Sequence, residues 1–119
     1  MKYSETHEWI SVKDSIGTVG VTDYAQKELG DIVYVELPKV NATINKGEEA
    51  VVLESTKAAA DVYSPVSGTI LEVNTALNSD SQLVNSSPEQ QGWLFKIKLS
   101  NVAELEELLA EEAYKAKYS

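Results

Sequence analysis

Short runs of β-branched and aromatic residues recur along this chain, each broken by Gly, Pro, Asn or Asp, and that pattern admits a layered β structure and little else. Trp9-Ile10-Ser11-Val12 and Ile16-Gly17-Thr18-Val19-Gly20-Val21 read as two strands about the polar turn Lys13-Asp14-Ser15, so the chain opens with a hairpin. Ile32-Val33-Tyr34-Val35-Glu36-Leu37 is a further run, and Pro38 ends it because proline has no amide to give to a ladder. After the turn at Asn45-Lys46-Gly47, Ala50-Val51-Val52-Leu53-Glu54 is apolar on both faces, and Val62-Tyr63 begins another strand that closes at Ser64-Pro65. Gly68 to Asn74 follows, and from Trp93 to Leu99 large apolar residues alternate with Lys, which predicts one buried face and one wet face. The polar run from Asn78 to Gly92 is a long connection.

Two segments change period. Thr22 is a good N-cap for a short helix over 23–29, with Gly30 where helices usually stop. Val102, Leu105, Leu108, Leu109, Ala113 and Ala116 recur at helical spacing and predict a C-terminal helix over about 102–116, with Asn101 and Glu104 as a capping box. Many short strands and two helical pieces together predict a mainly β fold, a sandwich or barrel with appended helices.

Composition narrows the chemistry. With 119 residues, 43% of them hydrophobic, the chain suits one domain over 1–119 around a single core. The net charge is -9 and all ten basic residues are Lys, so the bidentate phosphate clamp that Arg provides is missing and nucleic acid is not an expected partner. There is no Cys, so any sulfur redox chemistry must be borrowed. His7 is the sole histidine; a hydrolase could be centred only there, and a packing role is the simpler expectation. Trp9 and Trp93, on predicted strands, are expected in the core. The first residues lack the apolar core of a signal peptide and no stretch approaches a membrane span, which predicts a cytoplasmic protein, or one of the mitochondrial matrix if a transit peptide has been removed.

The segment most informative about function is Glu54-Ser55-Thr56-Lys57-Ala58-Ala59-Ala60-Asp61-Val62-Tyr63-Ser64-Pro65. It sets a lysine between two strands and flanks it with small residues. No Gly, Asn-Gly or Asp-Gly marks the turn, so a type I geometry is expected, with Lys57 pushed into solvent. An isolated exposed lysine is ordinarily a solubilising charge. Its frame is more specific: Lys46-Gly47-Glu48 before it, Val51-Val52-Leu53-Glu54-Ser55 leading in, Ser64-Pro65-Val66-Ser67-Gly68 leading out.

This frame resembles the hairpin of lipoyl and biotinyl carriers. Biotin carriers place Met on both sides of the modified lysine, whereas Thr56 and Ala58 stand here, so lipoate is favoured. The resemblance spans nearly the whole chain and points to the H proteins of the glycine cleavage system. The matching pieces are Thr6-His7-Glu8-Trp9, Val19 to Gln26, Leu29-Gly30-Asp31-Ile32-Val33, Val35-Glu36-Leu37-Pro38, Val84-Asn85 and Gly92-Trp93-Leu94. Thr56 and Glu89 depart from the family's usual valine and tyrosine, and neither removes the attachment amine.

The resemblance implies a lipoyl/biotinyl-type β-sandwich, the barrel-sandwich hybrid, with a lipoyl-bearing hairpin at about 50–64. It implies one lipoic acid joined covalently to Lys57, with Glu54 and Ser55 recognised by the lipoyl-attaching enzyme and Glu8 and Asp61 lining a cleft for the loaded arm. The implied role is a non-catalytic carrier whose partners are a pyridoxal phosphate-dependent glycine decarboxylase, a tetrahydrofolate-dependent aminomethyltransferase and dihydrolipoamide dehydrogenase. The alternative within the same fold is a relay protein that supplies lipoate to 2-oxo acid dehydrogenases.

Overall fold

The computed structural model describes residues 1–118. Its strands in chain order are β1 (Lys2–Tyr3), β2 (Glu8–Lys13), β3 (Ile16–Val21), β4 (Ile32–Glu36), β5 (Thr43–Ile44), β6 (Glu49–Ser55), β7 (Ala59–Tyr63), β8 (Gly68–Val73), β9 (Phe95–Leu99) and β10 (Leu109–Ala110). Three α-helices accompany them: α1 (Asp23–Leu29), α2 (Leu83–Ser86) and α3 (Glu111–Tyr118). One sheet has the order β10-β1-β2-β3-β9-β8-β5 and the other β4-β6-β7, every pairing antiparallel.

The sheets pack through the residues that alternation turns inward. Val51 and Leu53 of β6 and Val62 of β7 meet Ile10, Val19, Ile70, Phe95 and Ile97 in one continuous core. On β9 the expected alternation holds: Phe95, Ile97 and Leu99 are buried and Lys98 is exposed. The β2–β3 turn needs left-handed backbone at both Asp14 (φ 54°) and Ser15 (φ 64°), the combination whose twist matches a two-residue hairpin. Thr22 caps α1 by accepting from the Ala25 amide, and Gly30, at φ 82°, donates to the Gln26 carbonyl and ends it.

The C-terminal segment differs from the single helix expected over 102–116. Val102–Glu107 is a 3-10 turn, β10 adds to the edge of β1, and only then does α3 begin. Tertiary demands override the helical spacing here. Leu105 and Leu108 pack on the main core, Leu109 on a second cluster with Tyr3, Trp9 and Tyr114, and Val102 stays exposed. The capping box is also only half made: Asn101 Oδ1 accepts from the Ala103 amide at 3.1 Å, but the Glu104 carboxylate takes the amide and hydroxyl of Ser67 at 2.7 and 2.9 Å. Trp9 is buried against the bare face of Gly20, where a Cβ would lie 2.7 Å from the indole. Trp93 is half-buried, precedes β9, and has Lys96 Nζ 5.2 Å from its ring centroid.

His7 joins the aromatic layer that seats α3. Its ring lies 4.6 Å from both Tyr24 and Tyr118, and its Nδ1 is 2.8 Å from the Tyr114 hydroxyl, which also contacts Thr22 Oγ1 at 2.8 Å. Removal from water pushes the His7 pKa below its ordinary 6.5, with Glu28 pulling the other way. Between the two pKa values the unfolded chain binds the extra proton, so this histidine's contribution is intact above pH 6.5 and is lost as pH falls through the folded value. Glu8, whose pKa is raised by burial, contributes the opposite slope, so the His7 share is read by difference. Melting temperatures measured from pH 7.5 to 5.0 should fall less in His7→Gln than in the parent; equal slopes would remove His7 from the linkage.

Candidate functional site

The β6–β7 hairpin projects Lys57 from the smaller sheet. Glu54 pairs with Ala59, leaving Ser55, Thr56, Lys57 and Ala58 as the connection. None of the four has positive φ, as the absence of Gly and Asn predicts. Ser55 closes the turn from within: its amide donates to the Ala58 carbonyl at 2.8 Å, and its Oγ accepts from the amides of Lys57 and Ala58 at 3.1 Å each. The hydroxyl expected to meet an attaching enzyme is thus committed to shaping the turn. Glu54 stands exposed beside it.

Lys57 is exposed and has no ion-pair partner among the described residues. Its stem runs over Gly30, where a Cβ would sit 3.4 Å from Lys57 Cε and 3.7 Å from Nζ. The tip is pinned by its backbone as well, since the Thr56 amide donates to the Asp31 carbonyl at 3.0 Å. The sequence marks Gly30 as a helix stop and, with Asp31, as part of the run Leu29 to Val33 that carries the family resemblance; that both lie under the hairpin tip, in the short link between α1 and β4, shows only in the fold.

The outer face of the smaller sheet carries acids below the lysine. Register places Tyr34, Glu54 and Ala59 in one row and Glu36, Val52 and Asp61 in the next. Asp61 is exposed there. Glu8 lies elsewhere, at the base of the hairpin, and is only 2% exposed. Its carboxylate accepts from the hydroxyls of Ser4 and Thr6 and from the Tyr63 amide at 3.3 Å. Burial raises its pKa, and those hydrogen bonds hold it down in part. Beside Glu8 opens a cavity of about 310 Å³ bordered by Thr6, Lys46, Tyr63 and Leu108; Asp61 does not line it. The two expected cleft carboxylates therefore come from different strands: Asp61 lies on the outer face of β7, while Glu8, from β2, meets β7 at the Tyr63 amide two residues further on. Glu8→Ala would remove the shared acceptor of the Tyr63 amide and of the Ser4 and Thr6 hydroxyls, and urea unfolding should register a loss of about 1–2 kcal/mol, as for hydrogen bonds whose freed donors water can partly reach; a loss below about 0.5 kcal/mol would show the carboxylate to be structurally idle.

Glu89 turns inward, its carboxylate 3.5 Å from the Tyr3 hydroxyl and 3.4 Å from the Asp23 amide. Burial first, and Glu89 second, push the Tyr3 phenol up to about 12. The departure at this position is thus accommodated by contacts within the chain.

A two-sheet β-sandwich that raises one unpaired lysine on a hairpin tip is a lipoyl-type carrier fold. The chain belongs to the glycine cleavage H-protein family, whose model, described as Glycine cleavage H-protein, matches residues 1–119. It is 54% identical over 113 residues to the glycine cleavage system H protein of Thermotoga maritima, covering 95% of this chain and 91% of that one. It is 51% identical over 115 residues to that of Xanthobacter autotrophicus, with 97% and 92% covered. The crystal structure of a glycine cleavage system H protein from Mycobacterium marinum superposes with a TM-score of 0.90 at 36% identity, covering 98% of this chain and 94% of that one. Among the described residues no helix is long and apolar enough to cross a membrane.

Proposed function

We propose that this chain bears a lipoyl group on Lys57 and serves as the mobile carrier of glycine cleavage, moving the aminomethyl group of glycine from a pyridoxal phosphate-dependent decarboxylase to a tetrahydrofolate-dependent aminomethyltransferase. Dihydrolipoamide dehydrogenase then restores the arm, and a lipoyl-attaching enzyme installs it. The observation that carries this reading is a primary amine held in solvent, free of ion pairs, on a turn fixed by the Ser55 hydroxyl and by backbone hydrogen bonds. A lipoyl amide fits there because the amine meets no competing carboxylate and its stem has the bare surface of Gly30 to lie on. When bound, the group supplies a reducible disulfide, which a chain without Cys otherwise lacks.

The chain's own residues present and shield, and the chemistry belongs to the partners. Glu54 is the exposed feature an attaching enzyme meets beside the lysine, while Ser55 acts through the turn it closes. Lysine plus lipoyl chain would extend roughly 14 Å, close to the roughly 13 Å spanned by four residues of strand, so Asp61 would lie within reach of the arm. A protonated amine at its end would meet Asp61 first, in a charge-assisted hydrogen bond. Acids on the outer face, Glu36, Glu54 and Asp61, steer encounter with partners.

Deletion of the gene in its host tests the pathway. Glycine cleavage is expected to stop while 2-oxo acid dehydrogenases keep their lipoate. Loss of lipoate from those dehydrogenases would overturn the shuttle reading in favour of the relay.

A further inference from the structure

The side chain of Asn85 lies in α2, outside the hairpin, yet its hydrogen bonds converge on the segment that seats the hairpin tip. Its Oδ1 accepts from the Ile32 amide at 2.9 Å, and its Nδ2 donates to the Gly30 carbonyl at 2.9 Å and to Gln26 Oε1 at 3.0 Å. The amide orientation is fixed by chemistry: only an oxygen suits the Ile32 N–H, and only the NH2 suits the Gly30 carbonyl. Ile32 is further held by Ser81, whose hydroxyl donates to its carbonyl at 2.9 Å. Between these two pinned residues lies Asp31, whose carbonyl receives the Thr56 amide, and Gly30 is the surface under the Lys57 stem. Gly30 itself, at φ 82° and ψ -164°, has a backbone that side-chain-bearing residues avoid, so this link holds its shape only while its partners do.

Resting on the reading of Lys57 as the attachment site, we infer that Asn85 is a positioning residue for lipoyl attachment: it locks the 30–32 link into a cradle that fixes the height and exit direction of Lys57. Attachment forms an amide between the deprotonated Nζ and the carboxyl carbon of an adenylate made from lipoate and ATP, breaking the acyl–phosphate bond and releasing AMP and a proton; the amine must arrive in a defined approach, and a tip that wanders lowers the fraction of productive encounters. Asn85 touches neither the lysine nor any reacting atom; it acts through Gly30 and Asp31.

The test compares the full-length protein with Asn85→Ala and Asn85→Asp, the second keeping the acceptor for Ile32 while replacing the donor to Gly30. Two readouts are taken on each: amide hydrogen exchange by residue, and the kinetics of lipoyl transfer by a lipoyl-attaching enzyme supplied with lipoate and ATP. Asn85→Ala should raise exchange at Thr56 and Ile32 by about tenfold or more, the loss of one or two hydrogen bonds, while Ile10 and Val19 in the larger sheet stay protected. It should lower kcat/KM for attachment by about tenfold, with the increment still mapping to Lys57 after prolonged incubation. Asn85→Asp should fall between the two. Unchanged Thr56 exchange, or faster exchange with unchanged kcat/KM, would overturn the inference, as would loosening spread equally over Ile10 and Val19, which would make Asn85 merely structural. If the parent protein takes no lipoate on Lys57, the attachment reading itself fails, and the exchange data still report separately on whether Asn85 holds the tip.

Discussion

Lys57→Arg is expected to fold like the parent, accept no lipoyl group, and bring glycine cleavage down to the rate seen with no carrier added. The turn that raises residue 57 is built from Ser55 Oγ and backbone groups, none of which depends on the side chain at the tip. Arginine preserves the positive charge and much of the stem, so stability should change by less than about 0.5 kcal/mol, as for surface substitutions elsewhere. Its guanidinium remains protonated at any physiological pH and is no acyl acceptor. Nine of the ten lysines remain in the variant, so a total loss would assign the role to position 57 and not to lysine content. Full activity in a reconstituted glycine cleavage assay would place the arm elsewhere.

The second large effect is structural. In Gly68→Ala the added Cβ would lie 2.0 Å from the backbone carbonyl oxygen of Lys98 and 2.9 Å from Ile97 Cγ1. Gly68 is the residue of β8 paired with both Ile44 and Leu99, so neither neighbouring strand can yield without giving up its own hydrogen bonds. The substitution should destabilise by at least about 3 kcal/mol, the upper end for overpacked cores. For a domain of this size that corresponds to a melting temperature lower by roughly 10 °C or more. Gly47→Ala makes the control: it carries a left-handed φ of 86° with nothing within 4 Å of the new methyl group, so only the conformational penalty of about 1–2 kcal/mol applies. Equal losses in the two variants would show that contact at Gly68 is not what limits the site.

The strands that alternation or a continuous apolar run announced are where the sequence placed them, because inward-facing positions such as Val51, Leu53, Phe95 and Ile97 leave a periodic trace. The two-residue strands β1, β5 and β10 are too short for any period, and α2 lies hidden in a polar run because Val84 alone is buried there. The C-terminal spacing misled about extent since Leu109 and Ala110 answer to β1, a partner more than a hundred residues away. The exposed place of Lys57 at a hairpin tip was legible in its flanking frame. The cradle beneath it was not: Asn85, Gly30 and Asp31 are joined to the tip by hydrogen bonds between distant segments, and no local pattern records such contacts.

The most direct measurement is an intact mass followed by peptide mapping of the protein produced with lipoate and a lipoyl-attaching enzyme, beside Lys57→Arg treated identically. A single lipoyl increment, located on Lys57 and missing from the variant, is the predicted result. An unmodified parent, or an increment carried by another lysine, would contradict the assignment of the hairpin tip as the seat of the arm.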